Sequence, residues 1–290
     1  MNVDAMAYKA SADENMSPAT YQGLCSLIHK HSRIHLGEGR QCLLSSRLNS
    51  RRNHLGLKSW DAYYAYLTKA ENRDEIGMLI DLISTNHTSF FREKIHFERL
   101  RATLLEGIFT DCEGASKRLT AWSAASSTGE EPYSLAIMIN EHISQRGGAQ
   151  PDWIVHASDI SQKALKTAES AIYPKEDLNL PKPEWQQRYF KRGRGPYEGY
   201  CRLKPEITKR VKFQKINLFQ TPYPIPKPVH LIFCRNVLIY FEQESQAQVV
   251  SRLFHMLNPG GILVVGHSDS LSCFRHEFET LGGGIFRRSL

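Results

Sequence analysis

The chain has 290 residues, of which 41% are hydrophobic and 23% charged, a composition typical of a globular protein with one large or two modest domains. No stretch approaches the roughly 18 uninterrupted apolar residues of a membrane span, so we expect no membrane insertion. The formal net charge of +7 permits an acidic partner but selects none. The six cysteines have no metal-ligand spacing, so we expect reduced thiols in a cytoplasmic protein and no metal site.

The N-terminal part of the chain carries helical signals only. Residues 1–18 are polar, lack a basic-then-apolar signal pattern and are predicted to form a loose lead-in. Apolar residues then recur at three-to-four spacing between breaks that contain Gly or Asn. We therefore predict an all-helical domain over 19–90, with helices at 21–31, 40–54, 60–68 and 75–85.

The second predicted helix is unusually basic. Seven Lys/Arg stand between Lys30 and Lys58 against a single acid. On a helical wheel, Arg40, Arg47 and Arg51 fall within about 40° of one another. This pattern fits a solvated face whose Arg stems cover neighbouring leucines, or a docking surface for nucleic acid or an acidic protein helix.

A polar run, STNHTSFFR, occupies residues 84–92 and ends in an aromatic pair and a cation. Polar residues between two domains often face a cleft that binds a ligand. The same composition suits a plain linker with a capping Asn or Thr and a packed Phe pair. A helix is predicted to follow at 93–107.

The stretch at 119–136, LTAWSAASSTGEEPYSLA, is the most informative in the chain. A short apolar strand leads into seven small residues at 123–129, and Glu130 and Glu131 then open a helix. Small residues at such a turn let a ligand approach the backbone, and the helix start offers free N–H groups. The acidic pair favours a ligand with a cationic or hydroxyl-bearing end over a phosphate. An ordinary strand-to-helix turn is the competing interpretation.

A second strand is predicted at 152–159, and it ends in Asp159. This acid follows the first strand by about the length of one βαβ unit. An acid at that position commonly accepts hydrogen bonds from a ribose hydroxyl in dinucleotide or adenosyl sites. An Asp at a strand end is also a common N-cap, here of a helix predicted at 161–171.

Residues 174–212 interrupt the alternation with prolines, a basic Gly-rich turn and strand-like pieces near 200–203 and 211–213. We predict an inserted hairpin or small β unit, of the kind that binds partners at a sheet rim. Strands and a helix then alternate again. The result is a mostly parallel sheet, and ligands bind such sheets at the carboxyl ends of the strands, where we place Asp159, Asn217, Arg235 and Asn236.

Six segments, in this order and spacing, resemble the chemotaxis receptor methyltransferases, the CheR family: NHTSFFRE, WSAASSTGEEPYSLA, ASDIS, INLF, IFCRNVLIYF and NPGGILVVGHSDSL. The resemblance covers nearly the whole chain beyond the lead-in. RNVLIYF with STGEEPYS is highly specific, whereas PGG before a strand is common to many methyltransferases. The resemblance implies an α/β, Rossmann-like S-adenosylmethionine-dependent methyltransferase fold over 91–290, an N-terminal all-helical domain, and a small antiparallel β-subdomain inserted at about 176–213.

The implied activity is the transfer of a methyl group from S-adenosylmethionine to glutamate side chains on chemoreceptor cytoplasmic helices. The products are glutamyl methyl esters, which serve chemotactic adaptation, and S-adenosylhomocysteine. A glutamate is already ionised at neutral pH, so its attack on a sulfonium methyl needs alignment more than a strong base. We expect a cytoplasmic monomer that binds no nucleic acid.

The resemblance also assigns the cofactor site. Asn86, Thr88 and Arg92 close over the methionine portion, and Asp159 takes the ribose. Arg92 and Tyr240 stand nearest the transferred methyl group and are the implied catalytic residues. The remaining implied cofactor residues border the central turn, the adenine and the rest of the pocket: Glu130, Glu131, Asn217, Leu218, Arg235 and Asn236.

Receptor binding is implied at two further places. The basic face with Arg40, Arg47 and Arg51 matches the family's receptor-recognition helix, although Asn53 stands near its end where the family carries arginine. The β-subdomain of some members binds a C-terminal pentapeptide of the receptor through a glycine loop, which Gly193-Arg194-Gly195 resembles.

Two other functions fit parts of the pattern. One is a methyltransferase acting on nucleic acid, although the chain has no Asn/Asp-Pro-Pro-Tyr motif and no aromatic stacking platform beside the basic run. The other is a non-catalytic module that binds S-adenosylmethionine or its product and signals through the helical domain. The presence of Arg92 and Tyr240 beside all the cofactor residues argues against that module.

Overall fold

The computed structural model of the chain describes residues 16–111, 118–146 and 151–289. Most of the lead-in predicted at 1–18 lies outside the described residues, as does Cys112. Within the described ranges, no helix is both long enough and apolar enough to cross a bilayer.

The first of two compact units ends at Ser84, and the second begins at Thr85. The sequence placed the end of the helical domain at residue 90. The first unit ends earlier because Phe90 and Phe91 are buried in the core of the second, where Phe90 packs edge-on against two aromatic rings. The polar run from Thr85 onward therefore belongs to the second unit.

From residue 16 onward, the first unit contains four α-helices, close to the predicted ranges. Ser17 and Ser59 cap two of them by accepting hydrogen bonds from the N–H groups of Thr20 and Ala62. The apolar stripes face one another, and Leu24, Ile28 and Leu48 are among the fully buried side chains. The helices are α1 (Pro18–Ser32), α2 (Gln41–His54), α3 (Trp60–Thr68) and α4 (Arg73–Ile83).

Ten strands in two sheets are found in the described part of the second unit. They are β1 (Leu119–Ala124), β2 (Trp153–Asp159), β3 (Ile172–Pro174), β4 (Phe190–Arg192), β5 (Tyr200–Leu203), β6 (Val211–Lys215), β7 (Val229–Phe233), β8 (Leu257–Val264), β9 (Phe278–Gly282) and β10 (Ile285–Arg288). The large sheet has the order β6-β2-β1-β7-β8-β10-β9. Its first five strands run parallel, and β10 and β9 close it antiparallel, as expected of the predicted α/β architecture.

Seven further α-helices accompany these strands in the ranges that the structure describes. The first two, with a π-helical turn at Leu100–Leu104 between them, form the helical stretch predicted after the polar run. The helix after β1 is buried along most of its length, as its continuous apolar positions require. The seven are α5 (Lys94–Arg99), α6 (Leu105–Asp111), α7 (Glu130–Gln145), α8 (Gln162–Ser170), α9 (Glu184–Tyr189), α10 (Pro205–Thr208) and α11 (Gln243–Met256).

The small sheet, β3-β5-β4, is antiparallel and forms the inserted β-subdomain. It begins at Ile172, a few residues before the predicted start at about 176. The prediction was wrong for 211–213, because this stretch is part of β6 and lies at the edge of the large sheet, parallel to β2. Val211 is buried there, and Phe213 packs against Tyr133 of α7. The insert is thus the crossover between β2 and β6.

Candidate functional site

The candidate site lies at the carboxyl ends of the parallel strands. β2, β1 and β7 are neighbours in the sheet, so the segments that follow them share one edge. Most of the predicted cofactor residues follow one of these strands or β6. They are Glu130 and Glu131 after β1, Asp159 at the tip of β2, Asn217 and Leu218 after β6, and Arg235 and Asn236 after β7.

The turn between β1 and α7 has a backbone that few sequences tolerate. Ala125, Ser127 and Gly129 all have positive φ, at 71°, 50° and 101°. A Cβ on Gly129 would lie 2.7 Å from the Cβ of Ala168, so this position also needs glycine for packing. Strained non-glycine backbone of this kind costs about 1–3 kcal/mol per residue and concentrates at ligand sites.

Asp159 holds this turn in place. Its Oδ2 accepts a hydrogen bond from the Ser127 N–H at 2.8 Å, and its Oδ1 accepts one from the Ser161 N–H at 2.8 Å. The N-cap of α8 is Ser161, whose side chain accepts from Ala164. Asp159 is therefore not the N-cap of α8. Its carboxylate instead joins the tip of β2 to the turn between β1 and α7.

Two buried serine hydroxyls in this turn bear on whether it fits an adenosyl ligand. The Oγ atoms of Ser126 and Ser127 are buried, and within the described residues they have no hydrogen-bond partner. A buried hydroxyl without a partner costs about 1–3 kcal/mol, so such groups usually face a ligand or water. Their position beside Asp159, at a turn that brings backbone close to a ligand, fits a hydroxyl-rich ribose.

A largely buried cluster of one cation and two acids lies beside this turn, and we call it the Arg235 cluster (Glu93, Glu131 and Arg235). The Arg235 guanidinium is 2.9 Å from Glu93 Oε2 and 3.1 Å from Glu131 Oε2, and its side chain is 1% exposed. Arg235 also donates to the carbonyl oxygen of Arg92 at 2.7 Å. Glu131 completes its bonding by accepting from Ser123 at 2.7 Å. The cluster therefore joins β1, α7 and the end of β7 to the segment that carries Arg92.

The two acids of the cluster titrate differently. Burial alone would raise the pKa of Glu93, but hydrogen bonds from Asn236 and Arg235 hold it at about 2. Burial raises the pKa of Glu131, and the Arg235 charge and the Ser123 hydroxyl only partly oppose that shift. With two carboxylates facing one guanidinium, the cluster favours a cationic neighbour over an anionic one.

Glu93, His96 and His267 bring possible metal-ligand atoms within 4.8 Å of one another. His96 is neutral, because burial lowers its pKa to about 4, and its Nε2 donates to the carbonyl oxygen of Gly283 at 2.9 Å. The Glu93 oxygen nearest to it, however, already accepts from Arg235 and from the backbone N–H of His267. The other Glu93 oxygen accepts from the Asn236 side chain, so both oxygens are occupied and we treat these three residues as a junction between segments.

The other predicted residues of this edge lie in partly buried segments. Arg92 donates to the carbonyl oxygen of His87 at 2.7 Å, which curls the segment containing Asn86 and Thr88. The Asn217 side chain accepts from the N–H of Phe219 at 3.0 Å and so shapes the turn after β6, next to buried Leu218.

Tyr240 ends a 3-10 turn, Leu238–Tyr240, that follows the positive-φ residue Asn236. The tyrosine is half-buried. Asn236 and Tyr240 therefore lie on one short segment after β7.

In the first unit, the three predicted docking arginines have different surroundings. Arg51 makes a two-point ion pair with the buried carboxylate of Glu75, at 2.9 and 2.6 Å. Arg47 donates to the carbonyl oxygen of Ile83. Arg40 precedes α2 and is exposed. Two of the three guanidinium groups, those of Arg47 and Arg51, thus bind other groups within the helical unit.

The predicted glycine loop connects β4 to β5. Gly193 donates its N–H to the carbonyl oxygen of Tyr200 at 2.8 Å, and a Cβ on Gly193 would lie 2.0 Å from the carbonyl oxygen of Tyr197. The loop borders a cavity of about 290 Å³. No acidic side chain of the described residues lines the cavity. Among the lining residues are four cations and two tyrosines, which are Lys191, Arg192, Arg194, Arg202, Tyr197 and Tyr200.

Sequence reasoning missed Glu93, His96 and Asp269, which all contribute to this edge. Glu93 directly follows Arg92 in the quoted motif, so its position was a usable signal. Asp269 follows β8 in the segment GHSDSL and accepts from three backbone N–H groups. His96 carried no such signal, because its partner at Gly283 lies far along the chain.

Two family models match the chain. Residues 86–286 match the CheR methyltransferase SAM-binding domain, and residues 19–84 match the CheR methyltransferase all-alpha domain. The chain is 37% identical to the chemotaxis protein methyltransferase of Salmonella typhimurium over 277 residues, covering 94% of this chain and 91% of that protein. It is 36% identical to the chemotaxis protein methyltransferase of Escherichia coli, covering 94% and 92%.

Proposed function

Because the chain belongs to the CheR methyltransferase family, which binds S-adenosylmethionine, we propose that it methylates glutamate side chains on the cytoplasmic helices of chemoreceptors. The product is a glutamyl methyl ester, and the enzyme acts as a cytoplasmic monomer. The observation that carries this proposal is that Asp159 binds the strained β1–α7 turn at the edge of the sheet, where two buried serine hydroxyls have no partner among the described residues.

Different residues of this edge hold different parts of the cofactor. Asp159 accepts from the ribose, and the segment with Asn86, Thr88 and Arg92 holds the methionine portion. Glu131 and Arg235 act through the Arg235 cluster, since both side chains already have buried partners there. When bound, S-adenosylmethionine supplies an electrophilic methyl group on a sulfonium.

Alignment of the substrate glutamate carries the chemistry. The incoming carboxylate is ionised at neutral pH, so no residue of the chain has to remove a proton from it. Arg92 pairs with the carboxylate of the cofactor or of the incoming glutamate, and Tyr240 shapes the position of methyl transfer. Holding nucleophile and methyl group in line supplies several kcal/mol, up to about 7–11 kcal/mol in well-oriented systems.

The deciding experiment supplies tritium-labelled S-adenosylmethionine to the full chain together with a receptor cytoplasmic fragment, and separately with nucleic acid. We expect label on the receptor fragment that alkali releases, because glutamyl esters hydrolyse in base. Alkali-stable label on nucleic acid would instead support the nucleic-acid methyltransferase. Cofactor binding without any transfer would support the non-catalytic module.

Receptor docking through the basic face of α2 is expected to depend on Arg40 more than on Arg51. Arg40→Gln should raise KM for the receptor fragment about two- to fivefold at low ionic strength, with Tm unchanged, because an exposed cation acts through screened attraction. Arg51→Gln should instead lower the free energy of unfolding by about 1–3 kcal/mol, because it leaves buried Glu75 without its cation. Steady-state kinetics at two salt concentrations and thermal melts check both.

The cavity of the β-subdomain is proposed to bind the receptor C-terminal pentapeptide. Its four cations suit a carboxylate-terminated peptide, and its exposed tyrosines offer apolar contact. We expect Arg194→Glu to weaken binding of that synthetic peptide at least tenfold in calorimetric titration. Lys209→Glu, an exposed charge reversal outside the cavity lining, should leave the affinity unchanged. Equal effects of both variants would reduce the interaction to general charge attraction.

A further inference from the structure

Asp269 is a buried carboxylate, 6% exposed, on the segment that follows β8. One of its oxygens accepts from the backbone N–H groups of Asn236 and Gly266, the latter at 3.0 Å. The other accepts from the N–H of Ile239 at 3.2 Å. One side chain therefore binds three main-chain donors from two segments.

These donors lack strand partners. Asn236, three residues after the end of β7, adopts a φ of 55°, and the chain then makes the 3-10 turn Leu238–Tyr240. Backbone N–H groups in a segment that leaves a strand and turns need another acceptor. A buried N–H group without an acceptor costs about 1–3 kcal/mol. Asp269 supplies that acceptor at both ends of the Asn236–Ile239 stretch.

The two segments are also shaped to lie against each other. A Cβ on Gly266 would lie 2.5 Å from the side-chain nitrogen and 2.9 Å from the backbone nitrogen of Asn236, so this approach requires glycine at position 266. The Asn236 side chain in turn donates to Glu93 of the Arg235 cluster at 3.0 Å. Close packing and charge-assisted hydrogen bonds thus fix the same short stretch independently.

We propose that Asp269 is a positioning residue for methyl transfer. It holds the segment from Asn236 to Ile239, so that Tyr240, the next residue, keeps its ring at the transfer position, and it contacts neither substrate nor cofactor itself. This inference rests on the proposed function. If the inference is right, replacing Asp269 lowers kcat only by displacing Tyr240. The kcat losses of the Asp269 and Tyr240 variants are then not additive.

A double-mutant cycle tests this dependence, with alkali-labile methyl transfer to the receptor fragment as the readout. Asp269→Asn replaces one acceptor oxygen by a donor, and we expect it to lower kcat about tenfold in the wild-type background. In the Tyr240→Ala background, which lacks the ring, the same change should lower kcat less than threefold. Glu206→Gln, the same carboxylate-to-amide change at an exposed position on α10, should leave kcat unchanged.

Equal losses in both backgrounds would overturn the positioning role, because a purely structural effect is additive with the tyrosine. An unchanged kcat in Asp269→Asn would overturn it as well. If thermal melts show that Asp269→Asn is unfolded, Asp269→Glu, which keeps the charge, enters the cycle under the same criterion. If the wild-type chain transfers no methyl group, the proposed function fails and this inference with it, whereas transfer with an additive cycle removes the positioning role alone.

Discussion

Asp159→Ala is expected to weaken the binding of S-adenosylhomocysteine about 100-fold. The carboxylate has two tasks: it accepts from the N–H groups of Ser127 and Ser161, and we propose that it accepts from the ribose. Loss of charge-assisted hydrogen bonds worth about 1.5–3 kcal/mol each, together with loosening of the turn, accounts for this factor. Calorimetric titration of the purified chain with S-adenosylhomocysteine measures it directly.

Asp152→Ala provides a matched control, because Asp152 immediately precedes the opposite end of the same strand. There its carboxylate pairs with exposed Arg118 and Arg210, far along β2 from the candidate site. We expect its affinity for the nucleoside to equal that of the wild type. Asp159→Asn, which keeps one acceptor oxygen, should bind S-adenosylhomocysteine with an affinity between those of Asp159→Ala and Asp152→Ala. A folded Asp159→Ala protein that binds within threefold of the wild type would remove Asp159 from the cofactor site.

The strand, turn and acid around Asp159 could be predicted because their signals are local. A strand, a run of small residues and an acidic helix start follow one another within 119–136, and the next strand ends in the acid one βαβ unit later. The positive-φ positions fell within the run of small residues. The family resemblance added the roles, which periodicity does not supply.

The partners of the charged groups are not local, and this is where sequence reasoning was incomplete. Glu93 and Asn236 form a hydrogen bond across 143 positions of the chain, so neither side chain signals the other. Arg51 looked like a free surface cation until α4 placed Glu75 beside it. β6 was assigned to the insert because a proline- and glycine-rich crossover separates it from β2, and only the pairing in the sheet shows its place.

Arg235→Met is expected to lower the free energy of unfolding by about 3–5 kcal/mol at pH 7, with a fall in Tm of roughly 10 °C. The variant keeps an apolar stem against Phe97 and Phe233, over which the guanidinium lies at 5.8 and 5.6 Å, but it removes the cation. Glu93, which is largely buried, and buried Glu131 then face each other as carboxylates without a counter-charge, and removing one partner of a buried pair has a cost of this size. Urea unfolding and thermal melts measure it.

The pH dependence of that loss identifies its cause. The pKa of Glu93 is held at about 2, below its ordinary value of 4.5, so its ion pair stabilises the fold above pH 4.5 and this stabilisation fades as the pH falls toward 2. The difference between wild type and Arg235→Met should therefore be smaller at pH 4 than at pH 7. Adding Glu131→Gln to Arg235→Met should recover part of the stability at pH 7, because one unpaired carboxylate is gone. A loss that is the same at both pH values and is not relieved by Glu131→Gln would mean that Arg235 stabilises the fold by packing, without its charge.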